Sequence, residues 1–207
     1  MEESIGTVNR LHSWYRGFIQ GKTRILFAWI FGFALIFSAR QYPTLPGIIL
    51  CFVGATIRFW GSGYLRKDNQ LSISGPYRFT RNPLYLGTYL MALGVALAVE
   101  AWILLAVLSV SFWAVYHYII LDEETKLRKM FGEPYDRFCA LVPRFFPRLW
   151  PPAQSKISEI DTTNEQSHFS WKEAVGKNKA HEAYLAFLAL IGLTIGTAWV
   201  WQNFLPS

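Results

Sequence analysis

The stretch Gly75-Pro76-Tyr77-Arg78-Phe79-Thr80-Arg81-Asn82-Pro83-Leu84-Tyr85-Leu86-Gly87 runs a polar turn straight into an apolar segment. Asn82-Pro83 reads as an N-cap followed by the first helical position, where the missing proline N–H costs nothing. A helix start of this kind offers free N–H groups and a positive dipole end to an anion. Tyr77 and Tyr85 add rings suited to a planar ligand. About forty residues on, a second cluster, Asp122-Glu123-Glu124, closes the next apolar run. Acids at a helix C-terminus oppose its dipole, so something has to compensate them. That compensation is a cationic ligand, a protein charge, with Lys126, Arg128 and Arg81 all in reach, or simple solvation. Taken together, the two clusters suit a ligand carrying an anion, a cation and a planar ring.

Three further residues are candidates for groups at the reacting atoms: Arg144, His117 and Arg58. Nearly two helical turns separate His117 from Glu124, so they share a face; a packed core histidine and a base are both open readings. Arg58 lies close enough to the end of its apolar run to snorkel outward, and otherwise lines the pocket. No metal spacing is present. Cys51 and Cys139 fall in different environments and the four histidines are scattered singly, which also leaves no disulfide framework.

The elements that position these residues follow from composition. Of 207 residues, 52% are apolar and only 16% charged, well under the roughly 25% of a soluble domain. The apolar residues form blocks near the ~20-residue length of a bilayer span: Ile25–Ala39, Leu45–Tyr64, Leu84–Val99, Trp102–Leu121 and Ala183–Trp201. The expected fold is all-α, a polytopic membrane bundle of about five spans. The third and fourth are joined only by Glu100 and Ala101, which forces a tight antiparallel hairpin. The start of one span then stands beside the end of the next, so Asn82 and Tyr85 face Glu123 and Glu124.

The net charge of +6 is distributed by loop. Arg10, Arg16, Lys22 and Arg24 precede the first span; Arg66, Lys67, Arg78 and Arg81 follow the second; Lys126 to Arg148 follow the fourth. The intervening links hold only Arg40 and Glu100. This alternation is the positive-inside pattern and speaks against a nucleic-acid surface. It predicts a cytoplasmic N-terminus and a C-terminus on the opposite side.

The expected organisation is a cytosolic amphipathic lead-in over 1–23 with no cleavable signal, a core over 24–150, a polar linker and interfacial helix over 151–182, and a last span over 183–207. Within it, the helix after the fourth span runs to about Lys129, Gly132 and Pro134 break it, and a short helix follows to about Leu141. The Pro- and aromatic-rich run 142–152 is expected to pack over the helix ends. Residues 153–168 read as a mobile linker, and 169–182 as a short interfacial helix. Gly192 and Gly196 form a small-xxx-small stripe, which suits packing on the chain's own spans or a homodimer seam.

The runs G-P-Y-R-F-T-R-N-P-L-Y-L-G, E-E-T-K-L-R-K-M-F-G-E-P-Y-D-R-F and V-P-R-F-F-P resemble the isoprenylcysteine carboxyl methyltransferase and phospholipid methyltransferase superfamily, over roughly residues 45–148. The resemblance implies S-adenosylmethionine bound at the cytosolic ends of the third and fourth spans. Carried over by position, Tyr77, Arg81, Asn82, Pro83, Leu84, Tyr85 and Gly87 belong to its cofactor motif, and Glu123 and Glu124 to its acidic pair. Asn82 stands where that family has a histidine. It keeps a donor and an acceptor, so cofactor binding can survive, but it is no base near neutral pH.

Methyl transfer from a sulfonium is an in-line displacement that mainly requires alignment and exclusion of water. The lack of an obvious base leans toward a pre-ionised acceptor, and a site at the membrane edge favours a membrane lipid or lipidated substrate. Two alternatives remain: a scaffold of the same fold with altered catalysis, and a sterol-reductase-like NADPH enzyme.

Overall fold

A computed structural model of the chain describes residues 30–34, 37–66, 70–160 and 168–204. The expected lead-in over 1–23 and part of the first expected span lie outside the described residues; 30–34 and 37–38 are helical. The helices are α1 (Leu45–Tyr64), α2 (Pro83–Ala98), α3 (Trp102–Phe131), α4 (Glu133–Leu141), α5 (Gln154–Ser158) and α6 (His181–Phe204). A 3-10 turn covers Gly75–Arg78 and a π-helical turn Lys172–Lys177. No strand occurs among the described residues. The protein is an all-α membrane protein: α1, α3 and α6 are each long and apolar enough to span a bilayer.

At 16 residues, α2 is about 24 Å long, short of the ~30 Å hydrocarbon core. Irregular backbone at the end of so short an apolar helix needs partners within the protein. The closest partner of α2 is α1. A Cβ placed on Gly54 would stand 2.6 Å from the Gly87 carbonyl oxygen, and one on Gly87 would stand 2.6 Å from the Gly54 carbonyl oxygen. Gly47 and Gly94 make similar approaches to Ala98 and Cys51. Small residues at such crossings let two backbones touch where lipid supplies no hydrophobic drive.

The tight hairpin is present. Glu100 adopts a left-handed φ of 54°, and the amides of Glu100 and Ala101 turn back to the Leu97 and Ala96 carbonyls. The 30-residue α3 spans about 45 Å, so its last turns overhang the start of α2. It stops at Gly132, whose φ of 60° suits glycine, and Pro134 opens α4.

Three expectations are altered beyond the hairpin. Residues 153–168 are not one loose linker: Gln154–Ser158 is helical, and Ile157 and Ile160 are buried with Leu71, Ile73 and Tyr77. Two isoleucines within an otherwise polar run supply that anchor. Within the 169–182 range expected to be a short helix, a π-helix covers Lys172–Lys177 before α6, pinned where Asn178 Nδ2 donates to the Ser62 and Leu65 carbonyls. Finally, a Cβ on Gly192 or Gly196 meets nothing within 4 Å. That stripe therefore meets no neighbouring helix among the described residues.

Candidate functional site

A cavity of about 470 Å³ opens among the end of α1, the loop after it, the start of α2, the overhang of α3 and α4. Its volume falls in the range of small-molecule sites. The hairpin supplies its central contact. The Tyr85 hydroxyl on α2 donates to Glu123 Oε1 on α3 at 2.6 Å. Arg58, Tyr77, Arg81, Asn82, Pro83, Leu84 and Glu124 line the same space.

The two acids divide. Glu124 is only 5% exposed. Arg81 Nη1 lies 3.1 Å from its Oε1. Arg144 meets it at two points, Nε to Oε1 at 2.9 Å and Nη2 to Oε2 at 2.8 Å. Two guanidiniums thus compensate a carboxylate that burial alone would penalise. Glu123 instead stays half-buried, at the cavity wall. Of the compensations open to the acidic pair, a protein charge is the one Glu124 has. Arg81 also donates to the Cys139 sulfur, yet its Nε is buried without a hydrogen-bond partner.

Residues 142–148 form a strap over the start of α2. The Arg81 amide donates to the Pro143 carbonyl and the Arg148 amide to the Phe79 carbonyl, both at 2.9 Å. Thr80 Oγ1 donates to the Phe145 carbonyl at 2.8 Å. These bonds satisfy the irregular backbone at the start of the short α2. Phe145 is buried, with its ring 4.7 Å from that of Trp113 and 6.0 Å from that of Tyr89. Pro143 and Pro147 suit such a strap because neither has an N–H to satisfy.

Asn82 precedes α2 as expected, but its side chain makes no cap hydrogen bond. Its Nδ2 donates to the Arg144 carbonyl at 2.9 Å, because the strap crosses where a capping side chain would turn back. Arg144 is a strap residue paired with Glu124 and is not among the cavity's lining residues. Gly87 also stays outside the lining, because the approach of α1 occupies it. His117 is exposed on α3 with its ring beside Tyr118. It is neither a core histidine nor a cavity residue. The strap and α4 cover this face of α3 at Glu124 but not at His117.

Two residues at the site escaped the sequence reading. Thr80, 2% exposed, carries the strap; a buried hydroxyl between two arginines was its signal. Tyr135 on α4 is buried and lines the cavity, and its signal was the F-G-x-x-Y run. Burial first, and then the charge of Glu123, push the Tyr77 phenol above its ordinary range. Tyr135 is pushed the same way, chiefly by burial.

Comparison with known proteins places these features in a family. The model of the phospholipid methyltransferase family matches residues 29–134, just over half of the chain. The cobalt-zinc-cadmium resistance protein CzcN of Cupriavidus metallidurans is 37% identical over 50% of this chain and 47% of its own length. The nickel-cobalt-cadmium resistance protein NccN of Alcaligenes xylosoxydans xylosoxydans is 33% identical over the same shares. Protein-S-isoprenylcysteine O-methyltransferase of Schizosaccharomyces pombe is 30% identical over 40% of this chain and 35% of its own. The matches thus span about half, or less, of these curated relatives. No solved structure matches significantly. The chain belongs to the phospholipid methyltransferase family.

Proposed function

Because the chain belongs to the phospholipid methyltransferase family, we propose that it transfers a methyl group from S-adenosylmethionine to a lipid or lipidated acceptor in the membrane. The observation that carries this reading is the Tyr85–Glu123 contact at the wall of a 470 Å³ cavity. That contact sets an acid with no ion pair among the described residues beside the N-terminus of α2. The residues present fit the cofactor. Glu123 suits its ammonium or ribose hydroxyls, the first amides of α2 and the unpartnered Arg81 Nε suit its carboxylate, and Tyr77 and Tyr135 suit a planar base.

Bound there, S-adenosylmethionine would supply an electrophilic methyl on a sulfonium. The chain's own work is placement and exclusion of water. Tyr85 fixes the Glu123 carboxylate, Glu124 holds Arg81 and Arg144 in register, and the strap closes one side of the cavity. No side chain among the cavity residues is set up as a histidine base, which suits an acceptor that arrives ionised. Asn82 fits the same account. Its work here is a donated hydrogen bond to the strap, which a histidine N–H can equally provide.

The site end of the bundle lies on the cytosolic side in this reading, with acceptor entry from the bilayer. Incubation of the reconstituted protein with methyl-labelled S-adenosylmethionine and lipid extracts tests it. Label is expected in the lipid fraction; a folded protein that moves none into any lipid or lipidated acceptor contradicts it.

A further inference from the structure

Arg58 sits in the α1 span, six residues before its end at Tyr64. Charges in membrane spans are costly and as a rule pair with an opposite charge. Arg58 has no carboxylate within ion-pair distance among the described residues. Its side chain turns instead toward α2. Its stem passes Gly87, and its Nη1 donates to the Leu84 carbonyl at 3.3 Å and to the Thr88 hydroxyl. Those contacts fix the guanidinium across to α2 at the cavity wall. A carbonyl and a hydroxyl satisfy one nitrogen, and no carboxylate among the described residues compensates the charge.

The other cations at this end of the bundle are occupied differently. Arg81 and Arg144 share Glu124, and Lys126 pairs with Asp122 at 2.8 Å. Arg66 is bonded to the Gly63 and His168 carbonyls, and lies beyond the end of α1 rather than within it. Arg58 is thus the cavity cation held inside a span.

We propose that Arg58 is the seat for an oxyanion, a carboxylate or phosphate, on the lipidic acceptor. This rests on the methyl-transfer reading and deepens it: the acceptor is an anionic amphiphile whose chain stays in the bilayer while its head meets Arg58. A guanidinium suits this role because its fork matches either oxyanion at two points. An acceptor carboxylate held there is already ionised and needs no base, in keeping with a cavity lined by no histidine.

Wild-type protein in phosphatidylcholine nanodiscs, titrated with brominated hexadecanoate, hexadecyl phosphate and hexadecanol and read by tryptophan quenching, tests this. Wild type should bind at least one anion about tenfold more tightly than the alcohol, the size of one charge-assisted hydrogen bond. Arg58→Gln should abolish that ratio and Arg58→Lys should retain part of it. Arg137→Gln, an equal charge loss at an exposed position on α4, should leave it intact. Equal binding of acid, phosphate and alcohol by wild type overturns the proposal even if Arg58→Gln fails to fold. So does a ratio that survives Arg58→Gln.

Calorimetry with S-adenosylhomocysteine separates the sources of the oxyanion. Unchanged affinity in Arg58→Gln supports the acceptor. A tenfold loss there, with the amphiphile ratio intact, assigns Arg58 to the cofactor carboxylate and overturns the proposal. If wild type binds no S-adenosylhomocysteine, the methyl-transfer reading fails while the amphiphile ratio still decides the role of Arg58.

Discussion

Glu124 on α3 and Arg144 on the strap meet as a two-point pair, at 2.9 and 2.8 Å, with Arg81 as a third member. The pair joins the overhang of α3 to the irregular strap whose Phe145 packs in the aromatic cluster beside α2. It makes Glu124 a positioning residue. Glu124→Ala leaves two guanidiniums facing each other and should cost about 3 kcal/mol. Arg144→Ala, at a more exposed position, should cost about 1.5 kcal/mol. Thermal unfolding in detergent, with proteolysis at the strap, measures both; equal melting temperatures for all three proteins would remove the pair from the account.

Alkaline stability follows from the two buried phenols. Tyr77 and Tyr135 are held above the ordinary tyrosine range, near ~10 in the unfolded chain. The folded state therefore keeps protons that the unfolded state loses, and stability falls as pH rises above that value. Below it the contribution is fully present. Tyr77→Phe should flatten the decline between neutral pH and strong alkali, and denaturation followed against pH reads the slope.

Gly87→Ala should destabilise by roughly 1–3 kcal/mol, since the added methyl meets the Gly54 carbonyl and Arg58. Gly192→Ala should be neutral or favourable by up to about 1 kcal/mol, because the space there is open and alanine is the better helix former. Melting temperatures of the two variants should move in opposite directions or differ clearly in size. A harmless Gly87→Ala would contradict the close α1–α2 crossing.

Much of this was legible before the structure. The two-residue link at Glu100-Ala101 dictated the hairpin, and Gly132 and Pro134 marked the end of α3. What stayed hidden depended on segments distant in sequence meeting in space. Nothing local to Asn82 reveals that the strap sixty residues on takes its side chain. Nothing local to His117 shows that the cover over Glu124 stops short of it. Gly87 lies in the motif that suggests a ligand contact, whereas its neighbour on α1 is what requires glycine. Ile157 and Ile160 were lost in a polar run whose average composition masked them.

The basic loops predict that Glu100 and Gln154 lie on opposite sides of the membrane. Single cysteines at the two positions, in a Cys51→Ala, Cys139→Ala background, should label from opposite sides with an impermeant maleimide. Labelling of both from one side would break the hairpin topology on which the site depends.

The most direct test is calorimetric titration of the purified protein with S-adenosylhomocysteine. Wild type should bind, and Glu123→Gln should weaken binding by roughly ten- to a hundredfold, the loss of one charge-assisted hydrogen bond. Glu100→Gln, at the far end of the hairpin, should bind as wild type does. No binding by a folded wild type, or equal affinity in Glu123→Gln, would contradict the assignment of this cavity to the cofactor.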